Sequence, residues 1–442
     1  MKKQLVILMT ILALALVLAA CAGGGAPAAA PAGEGGGGGE GAVTLRIWSH
    51  QNDAFNSGLQ ALADAYMAEH PDVTIQFETF DYDTYIQTLQ TALPAGTEAD
   101  ILQMFGSWVC SYADGGNLAE VPTDVLGMDQ AKEQIFAAQL AGYTCGDKLW
   151  GVPEEFNIEY GATLVNTAIA ADAGLDNITD GWDSWDAFIA DAKQLAVVQD
   201  GVMTRAGYHF TASDAIPATF YSLILQNGGQ YLTDGVYDVN TDAGKAALEL
   251  MKKMVDEGVV DPVLFNDTEN WVGDCYFEEA CAMGLVGPWV VADYKDDFPD
   301  VVDVTQYVKL PYIGDEPALV AASGWGLSVS ANSKVQDAAW DFVKFAALDP
   351  ANAVQWNLAS GTLPALKANA TGDAADQLVA QFPHFGPFLA LLQYAQPEGA
   401  FPDRDLVWYE ITYPRILNYL QGNATLEETL DTLNREVGET MQ

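Results

Sequence analysis

Val43, Leu45 and Ile47 alternate with Thr44, Arg46 and Trp48, the period-two pattern of a strand with one face in a core. From Phe55 the spacing changes. Phe55, Leu59, Leu62 and Tyr66 recur at three and four residues, which predicts a helix capped by Asn52 or Asp53 and stopped by Pro71. Val73, Ile75 and Phe77 return to alternation, Tyr85, Ile86, Leu89 and Leu93 mark a second helix, and 101–105 a third strand. This βαβαβ order predicts a mainly parallel sheet covered by helices on both faces, with right-handed crossovers. Further on, Asn240 or Thr241 is placed to cap a helix through Ala247, Leu248, Leu250 and Met251. Val335, Ala339, Phe342, Val343 and Ala346 form the core face of a helix over 335–348.

In open sheets of this class ligands sit beyond the carboxyl ends of the strands, where loops leave the sheet and helix N-termini offer free N–H groups. That rule selects Trp48, His50 and Asp53 after the first strand, and Ser107 and Trp108 after the third. A tryptophan beside small hydrogen-bonding residues offers an aromatic plane to the C–H face of a sugar and polar partners to its hydroxyls. For either tryptophan alone, a place in the core is the competing reading.

The chain opens with Lys2 and Lys3 and then an apolar run from Leu5 to Ala20. The run is short for a bilayer span and has the order of an export signal, predicted over 1–20. Its end, Leu18-Ala19-Ala20-Cys21, resembles the lipobox of bacterial lipoproteins, which implies lipidation of Cys21 and a palmitate-bearing membrane anchor. Residues 22–42 are almost wholly Gly, Ala and Pro, a flexible tether with a span on the order of 25 Å. The globular body is expected outside the cytoplasm, beside the membrane and not in it.

At 442 residues, 50% apolar and 11% aromatic, the chain can bury two cores, so disorder throughout is excluded and two lobes are expected. Eighteen Lys and Arg stand against 61 Asp and Glu, a formal charge of −43, which excludes nucleic acid and anionic lipid surfaces as partners. No CxxC, Cys/His cluster or HExxH occurs, and the four histidines His50, His70, His209 and His384 are dispersed, so neither a metal nor a cofactor is expected. His70, between a predicted helix and Pro71, reads as a helix C-terminal partner. Asp238, Asn240, Asp242 and Glu249 fit part of a calcium-loop template, but Ala243 stands where glycine is wanted, and the helix cap is preferred. Glu154 and Glu155 are adjacent, so on an extended strand they point apart and make a poor catalytic pair. No enzyme activity is expected.

Several phrases in fixed order carry a resemblance. They are Ala99-Asp100-Ile101-Leu102, Gly115-Gly116-Asn117-Leu118 with Val121-Pro122, Leu149-Trp150-Gly151-Val152-Pro153 with Tyr160 and Leu164-Val165-Asn166, and Trp182-Asp183-Ser184-Trp185-Asp186-Ala187-Phe188. Ala282-Met283 with Gly287-Pro288-Trp289, Ser323-Gly324-Trp325-Gly326 with Asn332-Ser333-Lys334, and Gly361-Thr362-Leu363-Pro364-Ala365 follow. The body resembles the extracellular solute-binding proteins of ABC importers, in the branch similar to maltose-binding protein. The resemblance implies an α/β, two-lobed periplasmic-binding-protein-like fold of type II, each lobe a mainly parallel sheet flanked by helices, with a hinge between them. It divides the chain into a first lobe of 43–152 and 318–363 and a second of 156–315 and 366–442, crossed first at Trp150–Glu155.

The resemblance also implies a site. Trp289 matches the second-lobe aromatic platform, Ser107 and Trp108 the first-lobe aromatic loop, and Glu154 or Glu155 the hinge carboxylate. Trp325 is expected on the returning segment facing the cleft, Tyr160 is carried as a further ligand residue, and Arg404 and Trp408 fall where some members place late contacts. Basic residues are scarce near these loops, which disfavours a phosphorylated or acidic solute. Cys110, Cys145, Cys275 and Cys281 are an even set in an oxidising compartment with three pairings open. Pairing Cys110 with Cys145 and Cys275 with Cys281 keeps each bridge within one lobe, and four free buried thiols is the competing reading. The implied function is capture of a mono- or oligosaccharide by a monomer that delivers it to ABC permease subunits. A carbohydrate-sensing or adhesion lipoprotein without a transporter is the alternative.

Overall fold

A computed structural model describes residues 42–265 and 271–442. The expected signal, Cys21 and nearly all of the tether lie outside the described residues.

The opening strand β1 (Val43–His50) is followed by the helix α1 (Asp53–Glu69). Asn52 Oδ1 accepts the Phe55 N–H at 3.0 Å, so Asn52 is the cap and Asp53 the first helical residue. His70 closes the helix and stacks on Tyr66, ring centres 4.1 Å apart. β2 (Val73–Phe80), α2 (Tyr82–Ala95), β3 (Ile101–Phe105) and α3 (Gly106–Asp114) complete the run. β1 lies between β2 and β3 and is parallel to both. Trp325–Val329 then pairs antiparallel with β3, and Val152–Pro153 pairs antiparallel with Trp325–Val329 at the edge of the sheet. Leu45 and Ile47 of β1 are fully buried, as the alternation requires.

Two buried apolar clusters define the lobes. The first gathers Leu45, Ile47, Leu59, Ile101, Met104, Val152, Leu327 and Phe342. The second gathers Phe156, Leu164, Phe188, Ile224, Met251, Tyr276, Tyr307, Leu319 and Trp408. Strand Leu319–Ala321 packs in the second cluster and Trp325 in the first, so the chain passes between them at 322–324, and earlier at 153–155. Gly324 sits at this crossing with φ of 66°, where a Cβ would stand 3.0 Å from Glu155 Cγ. Gly106, where α3 leaves β3 without a connecting loop, has Ser323 Cβ 2.4 Å from the place of its missing Cβ.

The second lobe departs from the expected parallel pattern. Its central strand Ala162–Asn166 pairs antiparallel with Met283–Gly284 on one side and Thr305–Lys309 on the other. The two flanking strands therefore run parallel to each other, joined by a crossover that carries the helices Val290–Tyr294 and Pro299–Asp303, and Ala162–Asn166 is inserted between them in the opposite sense. Parallel pairing survives as bridges Ala206 to Cys281 and His209 to Gly284, and in Leu319–Ala321 beside Ala395–Pro397. Thr241 caps Asp242–Asp256, and the helix expected over 335–348 is α-helical for Gln336–Val343 and π-helical for Lys344–Leu348.

Cys110 and Cys145 are joined, tying α3 to the strand Thr144–Cys145. The second expected bridge is not formed. Cys275 and Cys281 are buried free thiols. A backbone hydrogen bond from Cys281 N to Cys275 O at 3.0 Å closes the turn between them and satisfies the chain there without a covalent link.

Candidate functional site

The carboxyl ends of the three parallel first-lobe strands deliver aromatic side chains to one place. His50 ends β1, Tyr82 opens α2 after β2, and Phe105 and Trp108 stand at the junction of β3 and α3. Trp325 begins the antiparallel strand opposite Phe105. The Trp325 indole lies face to face with the His50 ring, centres 4.1 Å apart. It meets Phe105 and Trp108 edge-on, both at 5.3 Å, and Tyr82 at 6.3 Å. His50 Nδ1 is 2.8 Å from Gln103 Oε1. Burial lowers its pKa to about 4, so at neutral pH the imidazole is an uncharged part of an aromatic wall.

The second lobe answers with polar groups and another indole. Glu159 Oε2 accepts the Gly287 N–H at 2.6 Å and Oε1 accepts Trp289 Nε1–H at 3.2 Å, which fixes the Trp289 ring. Trp271 stacks on that ring, centres 5.7 Å apart. Arg404 is buried, donates through Nε to Glu398 Oε2 at 2.8 Å, and lies 5.8 Å over the Phe105 ring of the facing lobe. Its Nη1 donates to Tyr409 OH at 2.6 Å, and that hydroxyl donates to Asp214 Oδ1 at 2.7 Å. Burial would lower the Arg404 pKa, but Tyr409, Glu398, Asp405 and Asp214 outweigh it and hold the guanidinium charged.

Between the walls runs the crossing strand. Glu155 Oε1 accepts the Trp325 backbone N–H at 2.9 Å. Burial pushes its pKa up to about 8, with Glu159 and Asp293 adding repulsion. Glu159 is raised to about 7 by desolvation and by Asp214. Glu154 is buried with neither carboxyl oxygen hydrogen-bonded, and desolvation followed by Glu155 drives its pKa well up. Of the two hinge glutamates, Glu155 is the one held against the aromatic wall.

Hydrogen bonds that join the lobes include Trp108 Nε1 to Asp405 Oδ2 at 2.9 Å and Asn52 Nδ2 to Asp293 Oδ1 at 3.0 Å. Each borders a crevice. One of about 680 Å³ is lined by Asn52, Asp53 and Tyr82 against Asp293 and Lys295. The other, about 450 Å³, is lined by Ser107 and Trp108 against Arg404, Asp405 and Tyr409. Aromatic faces suit the C–H surface of a ring, and carboxyls that are partly protonated both donate and accept, which suits neutral hydroxyls. Arg404 is already matched by Glu398 and Asp405, which leaves no surplus positive charge to draw an anion.

Of the residues expected from sequence, His50, Trp108, Glu155, Trp325 and Arg404 are linked by the contacts above, Trp289 stands on the second lobe against Glu159 and Trp271, and Asp53 and Ser107 line the crevices. Four are placed elsewhere. Trp48 is buried in the first core, its indole N–H on Glu78 Oε2 at 2.9 Å and its ring against Phe80. Glu154 faces the interior. Tyr160 is in the second core with its hydroxyl 3.5 Å from Gln226 Nε2. Trp408 is in the same core and is covered by the Arg404 guanidinium at 3.9 Å. Tyr82, Phe105, Glu159, Asp214, Asp293, Asp405 and Tyr409 were not anticipated. Tyr82 stands directly after the second strand, so the strand-end rule that selected His50 and Trp108 reaches it too.

The description of bacterial extracellular solute-binding proteins matches residues 51–353, and the chain belongs to that family. A binding protein of Brucella abortus is 23% identical over 287 residues, 64% of this chain and 66% of the relative, just under two thirds of its length. The lactose-binding protein of Rhizobium radiobacter is 26% identical over 317 residues, 69% of each chain. In fold the chain is similar to the cyclic alpha-maltosyl-1,6-maltose binding protein of Arthrobacter globiformis, with a TM-score of 0.74 and 23% identity over 91% of this chain and 99% of that one. The two-lobed α/β architecture is thereby that of the maltose-binding type, and the family works outside the cytoplasm. No helix among the described residues is long and apolar enough to cross a membrane.

Proposed function

We propose that this protein captures a neutral mono- or oligosaccharide between its lobes and delivers it to the permease of an ABC importer, held at the outer face of the cell membrane by a lipid on Cys21. The observation that carries the reading is the His50, Tyr82, Trp108 and Trp325 wall of one lobe with Arg404 of the other over Phe105 beside it, while Glu159 holds the Trp289 ring on that second lobe. A relative named for binding lactose and a structural neighbour named for binding cyclic alpha-maltosyl-1,6-maltose support a carbohydrate guest. Carbohydrates bury their C–H faces on indoles and exchange water for carboxyl and guanidinium partners at their hydroxyls. A guest that touches both lobes favours the closed form, because only differential affinity shifts such an equilibrium.

Calorimetric titration with lactose, maltotriose and cyclic maltooligosaccharides tests the guest, and Trp289→Ala tests its place. Uptake of the bound sugar by cells, lost when this gene is deleted and restored by the wild-type chain but not by Trp289→Ala, tests delivery. Saturable binding of a neutral sugar with uptake unchanged on deletion would leave a receptor and refute the importer role.

A further inference from the structure

We propose that Asp405 is a positioning residue that sets the Trp108 wall as the lobes close, independently of the guest. Its carboxylate is divided between the lobes. Oδ2 accepts the Trp108 indole N–H at 2.9 Å, while Oδ1 accepts from Arg404 Nη1 at 3.2 Å. Trp108 packs on the first core, and Trp408, beneath the Arg404 guanidinium, belongs to the second.

Asp405 sits on a braced support. Leu406 N–H donates to Asp403 Oδ1 at 3.0 Å, and the chain continues as the π-helix Leu406–Thr412, a wide turn often found at functional sites. Arg404 is anchored by Glu398, whose Oε1 accepts the Ser323 N–H at 3.2 Å and the Ser323 hydroxyl. Ser323 lies in the segment that carries the chain back to Trp325. The bonds therefore run from Trp108 through Asp405, Arg404 and Glu398 to the start of the Trp325 strand.

Donor and acceptor of the Trp108 to Asp405 bond belong to different lobes, so the bond forms only when the lobes meet. A charged acceptor makes it roughly twice as strong as a neutral pair. The same bond fixes the indole whose ring meets Trp325 at 5.3 Å and Tyr82 at 6.1 Å. Closing the cleft and presenting its first-lobe wall are then one event. The Asn52 to Asp293 bond adds a second point of contact beside the other crevice.

The test needs no sugar and so stands or falls apart from the carbohydrate reading. Spin labels at Gln60→Cys on α1 and Glu249→Cys on the helix Asp242–Asp256, both exposed positions, report the interlobe distance in the full chain with Cys21→Ser, Cys275→Ala and Cys281→Ala removing the other free thiols. The wild-type background without sugar is expected to show both distances, with the short one of the structure a measurable fraction that a guest would raise. Asp405→Asn sets an amide N–H₂ against one of two donors, and Trp108→Phe keeps a ring but removes the N–H. Each is expected to lower the ratio of short to long distances about tenfold, with the melting temperature of the chain little changed. The double variant should lose no more than either single one, since both remove the same bond, and Asp405→Glu should restore part of the short population. A wild type showing only the long distance, unchanged distances in both single variants, or fully additive losses would overturn the proposal.

Discussion

The Trp325 indole and the His50 imidazole lie face to face, centres 4.1 Å apart and planes 14° apart, with Gln103 bonded to the imidazole from behind. A stack of this kind has a charge rule. Protonating His50 would put an unsolvated cation into a closed aromatic wall, and its pKa of about 4 is the measure of that cost. The His50 ring resonances in a histidine-labelled NMR sample should titrate near pH 4, well below an exposed imidazole. Saccharide affinity should show no step at pH 6.5 attributable to His50, and such a step, absent in His50→Gln, would contradict the stack.

Stability should fall as pH rises from 6.5 to 8. Glu155 and Glu159, with pKa values raised by burial to about 8 and about 7, hold protons in the folded protein that the unfolded chain has already released. Their stabilising effect is complete below the ordinary carboxylate range near 4 and is lost as pH passes through the folded values. Between 4 and 6.5 the neutral buried His50 and His384, both lowered to about 4, oppose them, because the unfolded chain takes up protons there. The window from 6.5 to 8 therefore isolates the glutamates. Thermal melts should drop across it, and Glu155→Gln should flatten the slope. A melting temperature that rises with pH in that window would refute the assignment.

Trp289→Ala should weaken saccharide binding at least tenfold, about 1.4 kcal/mol, with the fold intact. The ring is only partly buried, packed against Trp271 and bonded to Glu159, so its loss opens the platform and does not empty a core. Trp408→Ala should instead act on stability, because that indole is 1% exposed and lies in the second core. Calorimetry and thermal melts on both variants separate the two roles, and an exchange of the two effects would reverse the assignment.

Cys110 and Cys145 close a loop of sequence separation 35, for which the chain-entropy relation gives about 3 to 4 kcal/mol. Reductant should lower the melting temperature by several degrees. Alkylation of the unfolded, unreduced chain followed by peptide mapping should modify Cys275 and Cys281 and leave Cys110 and Cys145 untouched. Recovery of a peptide joining Cys275 to Cys281 would restore the second bridge expected from sequence.

The parts of the fold legible in the sequence are those whose periodicity is local. The alternation of Val43, Leu45 and Ile47 and the helical spacing from Phe55 to Tyr66 report burial on one face, so the first three strands and two helices follow from them. Strand order in the second lobe was not legible, because the antiparallel partners of Ala162–Asn166 are separated from it by more than a hundred residues and carry short patterns. Within the site, the strand-end rule identified His50 and Trp108 but also promoted Trp48. That indole is two residues before the strand end, and Glu78 on the neighbouring strand captures its N–H. Glu159, Asp214 and Asp405 carry no local mark, since each becomes a cleft residue only through contacts made across long sequence separations.

The most direct test of the account is calorimetric titration of the full chain against a panel of neutral mono- and oligosaccharides, run in parallel on Trp289→Ala and Trp325→Phe. Saturable one-to-one binding of a neutral sugar, weakened at least tenfold in both variants, is the predicted result. Binding unaffected by either substitution, or no heat from any sugar on the panel, would contradict a carbohydrate cleft between these indoles.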